Sequence, residues 1–213
     1  WGSTFFLVKD HLAYVDPVVM VAYRFVLGTI LMGGYLLYRR KPWFTNFKPG
    51  ALLGVLLWLC YVAQTIGLEF TTASNSGFIT GLFVAFVPIL ALFLFREVPS
   101  PSKIMAVLTS MSGLWFLTGG LAEINAGDLL TLITALAFAA YILLADRYTK
   151  ANLDPYVLTF QQFLTVAGLS VIVALVFRLP FTVTSAGTVG VILFLTLFPT
   201  LSAFVIQMAA QKF

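Results

Sequence analysis

Asp16-Pro17-Val18-Val19-Met20-Val21-Ala22-Tyr23-Arg24-Phe25 opens an apolar run that continues to Tyr38 and carries a single cation, Arg24, inside it. The pattern returns 138 positions later as Asp154-Pro155-Tyr156-Val157-Leu158-Thr159-Phe160-Gln161-Gln162-Phe163, with Gln162 where Arg24 stood and Phe163 where Phe25 stood. Solenoid units run to about 20–50 residues, so a repeat this long is instead a duplicated half. In a membrane chain such a duplication places equivalent helices about a pseudo-two-fold axis.

Composition sets the class. The 213 residues are 61% hydrophobic, 9% charged and 15% aromatic, against about 45–50% apolar and 25% charged in soluble domains. The apolar stretches are around twenty residues long, which suits spanning helices and not barrel strands of about 9–11 alternating residues. The expected fold is therefore an all-α polytopic membrane protein. Cys60, the one cysteine, lies inside an apolar run and is expected to pack. The net charge of +4 comes from basic residues in short loops between spans, an orientation signal. Nucleic acid is thus excluded as a partner, and the lipid bilayer is implied.

Outward from the first stretch, residues 1–8 are apolar up to Lys9-Asp10-His11 and cover roughly 12 Å, so they read as the tail of a first span. Seven full spans follow, at about 17–38, 50–70, 76–95, 103–120, 129–145, 155–177 and 187–210. Gly50 and Gly54 have the four-residue spacing that lets helices approach closely. Pro88 and Pro199 lie inside spans and are expected to bend them. Tyr61-Val62-Ala63-Gln64 is echoed by Phe204-Val205-Ile206-Gln207. The second and third spans thus answer the seventh and eighth. Five spans separate the equivalents, an odd number, so the halves insert with opposite orientation, residues 1–121 forming one and 126–213 the other. By this register each half has five helices, and the chain is expected to lack most of helix one and all of helices nine and ten.

Arg39, Arg40, Lys41, Lys48, Arg96, Lys103, Arg147, Lys150 and Lys212 fall on one side of the spans, and only Lys9 and Arg178 on the other. The basic side is expected in the cytoplasm.

Several stretches together carry a resemblance: Trp1-Gly2-Ser3-Thr4-Phe5, Tyr23-Arg24-Phe25, Gly67-Leu68-Glu69-Phe70-Thr71-Thr72-Ala73-Ser74 leading to Pro88, and Arg96-Glu97 before a span containing Gly113. In this order they resemble the drug/metabolite transporter superfamily, and within it the EamA-like exporters. The resemblance implies ten helices in two inverted five-helix halves around a central cavity, and export of amino acids and other small metabolites across the inner membrane.

Arg24 is seven residues inside Pro17, roughly 10 Å below the outer interface. A guanidinium there costs about 2.5–3.5 kcal/mol and should face protein or water. One reading has it snorkel outward or tie down backbone carbonyls. The other makes it an anion clamp, since no span interior holds an acid to neutralise it and its planar fork suits a carboxylate. Tyr23, Gln64, Thr80, Asn75, Gln161, Gln162 and Gln207 are the other polar groups of the spans, and Trp58, Phe78, Phe160 and Phe163 are candidate walls. Singly, each amide suits a helix-bridging bond worth about 0.6 kcal/mol. As a set they suit the lining of one cavity, with Arg24 and Gln162 at mirrored depths and Pro88 and Pro199 as hinges. One histidine, no metal-ligand cluster and no base beside a serine argue against an enzyme, and no cofactor is implied. Two classes remain, a small-molecule transporter and a non-transporting membrane assembly subunit, and an unpaired cation at this depth favours the first. Without an intramembrane carboxylate, exchange of a proton for a cationic drug is disfavoured. Other proton coupling and the oligomeric state stay open.

Overall fold

The computed structural model describes residues 2–118 and 125–211, all of it helices and connecting turns. Trp1, the Gly119-Gly120 end expected for the fifth span, Glu123, Lys212 and Phe213 lie outside the described residues. The elements are α1 (Thr4–His11), α2 (Pro17–Tyr38), α3 (Phe47–Phe70), α4 (Ala73–Gly81), α5 (Phe83–Phe95), α6 (Pro101–Thr118), α7 (Ala126–Lys150), α8 (Pro155–Val176), α9 (Ala186–Leu195), a π-helical turn (Thr196–Ser202) and α10 (Ala203–Ala210).

Six helical stretches among the described residues are long and apolar enough to cross a bilayer, taking α4 with α5 and α9 through α10 as single spans. The chain is a multi-pass membrane protein. Of the seven full spans expected, the one at 103–120 corresponds to α6, which has 18 described residues and is not among these six.

The two Asp-Pro stretches build identical helix starts. Asp16 accepts from the N–H groups of Val18 and Val19 at 2.8 and 3.3 Å, and Asp154 from those of Tyr156 and Val157 at 2.9 and 3.4 Å. Each carboxylate fills donors a helix start leaves orphaned, and each proline supplies a first-turn residue with no N–H to satisfy. Both helices run 22 residues, about 33 Å.

Elsewhere the boundaries move, each for a local reason. Helix α7 begins at Ala126, not near Leu129, because Asn125 and Asp128 form a reciprocal capping box. Its far end continues to Lys150, where Lys150 pairs with Asp146 one turn back. Helix α4 starts at Ala73, three residues before the expected start at 76, since Thr72 accepts from the Asn75 N–H at 3.1 Å, and Asn75 and Ser76 are helical and buried. The helical run of this span is interrupted at Leu82, between α4 and α5, where the Ala85 N–H reaches the Leu82 carbonyl at 2.9 Å, and Pro88 lies inside α5.

Contacts fix the helix directions. Phe25 meets Phe163 and Tyr35 meets Tyr156, each with rings 5.3 Å apart, so α2 and α8 cross antiparallel. Thr134 bonds the Cys60 carbonyl and Gly127 abuts Gly67, so α3 and α7 are antiparallel too. Gly50 faces Gln161 and Gly54 faces Thr165, so α3 and α8 run parallel. A Cβ at Gly54 would stand 2.5 Å from Thr165 Cβ, so glycine is required for this crossing. The core between these helices is led by Phe25, Leu57, Tyr61, Tyr141, Phe163 and Phe204.

With these directions one end of the bundle gathers Arg39 to Lys48, Arg96, Lys103, Arg147 and Lys150. The opposite end holds Lys9, whose ammonium caps α3 by donating to the carbonyls of Leu68 (2.6 Å) and Thr71 (2.9 Å).

Candidate functional site

Arg24 is 4% exposed, on the face of α2 that meets α3 and the π-helical turn. Its Nε donates to the Thr200 hydroxyl and its Nη2 to the Tyr61 hydroxyl at 3.3 Å, with the guanidinium carbon 4.7 Å from the Tyr61 ring centroid. A cation over a phenol face in a desolvated site gains both the hydrogen bond and the ring quadrupole. The ion pairs among the described residues are Lys41–Asp154 and Lys150–Asp146, so no described carboxylate neutralises Arg24. The buried acid of α7, Asp128, is engaged by the Thr71 hydroxyl and the Asn125 N–H at the end opposite the basic loops.

Proline chemistry explains why Thr200 is there to receive Arg24. Pro199 has no N–H to give the Leu195 carbonyl, and the helix widens into a π turn around it. The Thr200 hydroxyl donates to that same Leu195 carbonyl at 2.8 Å, which leaves its oxygen to accept from Arg24. One turn earlier Thr196 donates to the Ile192 carbonyl at 2.8 Å and to the Arg24 carbonyl at 3.4 Å. Side chain and backbone of Arg24 are both tied to the distorted turn.

Beside Tyr61 lies a cavity of about 190 Å3, walled by Tyr61 and Gln64 of α3, Thr80 of α4, and the rings of Phe83, Phe138 and Phe204. Gln64 Nε2 donates to the Thr80 hydroxyl at 3.2 Å. Its walls are aromatic with a few polar groups, the composition of a small-molecule site. Among the described residues no group of three His, Cys, Asp or Glu could hold a metal.

Of the residues expected to line one site, Gln64 and Thr80 do so. Arg24 stands one hydrogen bond behind the wall, through Tyr61. Tyr23 is half-buried, and its hydroxyl donates to the Phe181 carbonyl at 2.6 Å in the loop after α8. Gln161 donates to the carbonyls of Trp43 and Thr45 at 3.0 and 2.9 Å, pinning the loop between α2 and α3 rather than facing the cavity. Gln162 is fully buried, its Oε1 accepts from Tyr141 at 2.9 Å, and its Nε2 has no partner among the described residues. Neither Arg24 nor Gln162 lines this cavity, and the rings of Phe25, Phe163 and Phe204 pack edge to face among the helices that carry them. Trp58 packs against the core with its indole N–H unpartnered among the described residues, Phe78 lies edge-on to Trp115 at 5.9 Å, and Gln207 Oε1 on α10 is buried without a described partner.

Sequence reading missed Tyr61, Thr196 and Thr200. Tyr61 is one turn before Gln64, and the two threonines flank Pro199 at helical spacing, which is the signal that was available.

At the basic end, Lys41 pairs with Asp154 and lies 4.8 Å over the Tyr156 ring. Partial burial works to raise the Asp154 pKa, but the Lys41 hydrogen bond and charge and the two capping N–H groups outweigh it and hold the carboxyl below its ordinary value.

Residues 1–119 match the model of the EamA-like transporter family. A protein of Archaeoglobus fulgidus called an uncharacterized transporter is 35% identical over 162 residues, covering 76% of this chain and 50% of that protein. The uncharacterized transporter YcxC of Bacillus subtilis (strain 168) is 28% identical over 160 residues, covering 70% of this chain and 51% of its own length. A crystal structure superposes with a TM-score of 0.75 over 99% of this chain and 75% of its own, at 20% identity, which speaks to the fold. The chain thus spans about half the length of the curated relatives it matches.

Proposed function

We propose, from the premise that the chain belongs to the EamA-like transporter family, that it is part of a secondary transporter exporting small carboxylate-bearing metabolites, amino acids among them, across the inner membrane by alternating access. The observation that carries this reading is Arg24, a buried guanidinium with no described carboxylate, one hydrogen bond behind the wall of an aromatic cavity. A permanent cation in a desolvated setting is stable beside a ligand that brings the opposite charge. The aromatic walls accept an apolar body, and Gln64 and Thr80 offer polar contacts to its head.

The antiparallel pairing of α2 with α8, two helices with equivalent starts, supports the inverted relation of the two halves. Rocking of one half against the other would open the cavity to each side in turn, with the regions of Pro88 and Pro199 as bending points. The basic end would face the cytoplasm.

The test is transport by the intact protein in liposomes, with acids compared against their amides. Arg24→Gln should weaken the acid more than the amide, by about tenfold or ~1.4 kcal/mol. Equal losses for both would remove the anion-selective reading. A thiol introduced at Asn46 should be labelled from the cytoplasmic side and one at Asn125 from the outside; the reverse pattern would overturn the orientation.

A further inference from the structure

Resting on the carboxylate reading above, we infer that the group meeting the substrate carboxylate is the Tyr61 phenol, and that Arg24 is a positioning residue acting through it. Tyr61 is part of the cavity wall and Arg24 is not. Two of the five guanidinium N–H groups are engaged, one from Nε by Thr200 and one from Nη2 by Tyr61, and the ring-facing position sets the positive charge against the phenol. In that hydrogen bond Tyr61 is the acceptor. Its own O–H proton therefore remains to be given, and among the described residues it makes no hydrogen bond as a donor. A phenol that accepts from a cation becomes a better donor, because hydrogen bonds in series polarise one another. An anionic oxygen in the cavity would complete the chain from Arg24 through Tyr61 to carboxylate, a charge-assisted bond. Gln64, one turn further along α3 and bonded to Thr80, lines the same cavity as Tyr61 and adds a polar side to it. The arrangement spares the guanidinium from moving: its ties to the π-helical turn stay made while the phenol proton reads the ligand's charge.

The experiment measures transport of a panel of amino acids and of their amides by the intact protein in liposomes, for wild type, Tyr61→Phe, Arg24→Gln and the double variant. Wild type should prefer at least one acid over its amide. Tyr61→Phe should lower that preference about tenfold, as Arg24→Gln does, and the double variant should lose no more than either single variant, since both break one chain of interactions. Tyr61→Phe keeps the ring, and its fold is checked by thermal unfolding. As a second probe, 3-fluorotyrosine at position 61 keeps ring and hydroxyl while making the phenol a stronger donor, and the acid-over-amide ratio should rise. If Arg24→Gln loses the preference and Tyr61→Phe keeps it, or the fluorinated protein shows an unchanged or lower ratio, the Tyr61 assignment is overturned while the carboxylate reading stands. If wild type prefers no acid over its amide, the carboxylate reading fails and takes this assignment with it.

Discussion

Helices α2 and α8 start from the same chemistry and end with different jobs. Each has an aspartate cap, a first-turn proline and 22 residues, and the two cross antiparallel. Eight residues past the cap, α2 carries Arg24 and α8 carries Gln162, both buried. Arg24 is met by two hydroxyls and a ring from α3 and the π-helical turn, whereas Gln162 is met by one hydroxyl, that of Tyr141 on α7. The frame of a helix start is local and survives duplication. The chemistry of a buried position belongs to the helices packed against it, and these differ between the two places.

Exchanging the chemistry tests that contrast most severely. Gln162→Arg places a cation where the described surroundings offer one hydroxyl and packed rings, at a cost of about 2.5–3.5 kcal/mol or more. The variant should give a much lower unfolding temperature in detergent and a poor yield. Stability equal to wild type would mean the two slots are interchangeable. A milder change sharpens the same point: Gln162→Leu removes an amide of which one end is unpaired, leaving the Tyr141 hydroxyl with Met208 Sδ at 3.7 Å. The loss should be about 0.6 kcal/mol, read as a small shift of the same transition.

How much the sequence disclosed follows the same division. Both Asp-Pro starts are legible because cap and proline act on donors two and three residues away. The Asn125–Asp128 box is equally local, yet its residues are polar and the apolar run begins only at about 129, so the first turn of the helix shows only in the structure. Arg24 is legible by depth alone. Its partners Tyr61 and Thr200 are 37 and 176 positions distant, on helices apolar nearly all round, so no hydrophobic stripe indicates which side turns inward. Gln161 shows the converse, an amide that reads as cavity lining until its bonds to Trp43 and Thr45 place it under a loop.

The smallest effect separates the two caps themselves. Asp16 caps its helix without a described ion pair, while Asp154 also receives Lys41. Asparagine caps as well as aspartate, so Asp154→Asn removes the charge and keeps the cap. At neutral pH the variant should lose a few tenths of a kcal/mol, the size of a pair whose side chains are 25% and 38% exposed. The matching Asp16→Asn, with no such pair to break, should cost less. The sign with pH follows from the lowered pKa of Asp154: the folded carboxyl holds its charge to lower pH than the unfolded one, so its stabilisation is complete above the unfolded value. It shrinks as pH falls below the ordinary aspartate range of about 4 toward the folded value. The gap between wild type and Asp154→Asn should therefore close as pH is lowered through that window, measured by unfolding temperature in detergent at graded pH. A gap that stays constant or widens on acidification would show that the Lys41 pair does not stabilise the folded protein, and the two caps would then be equivalent in energy as well as in geometry.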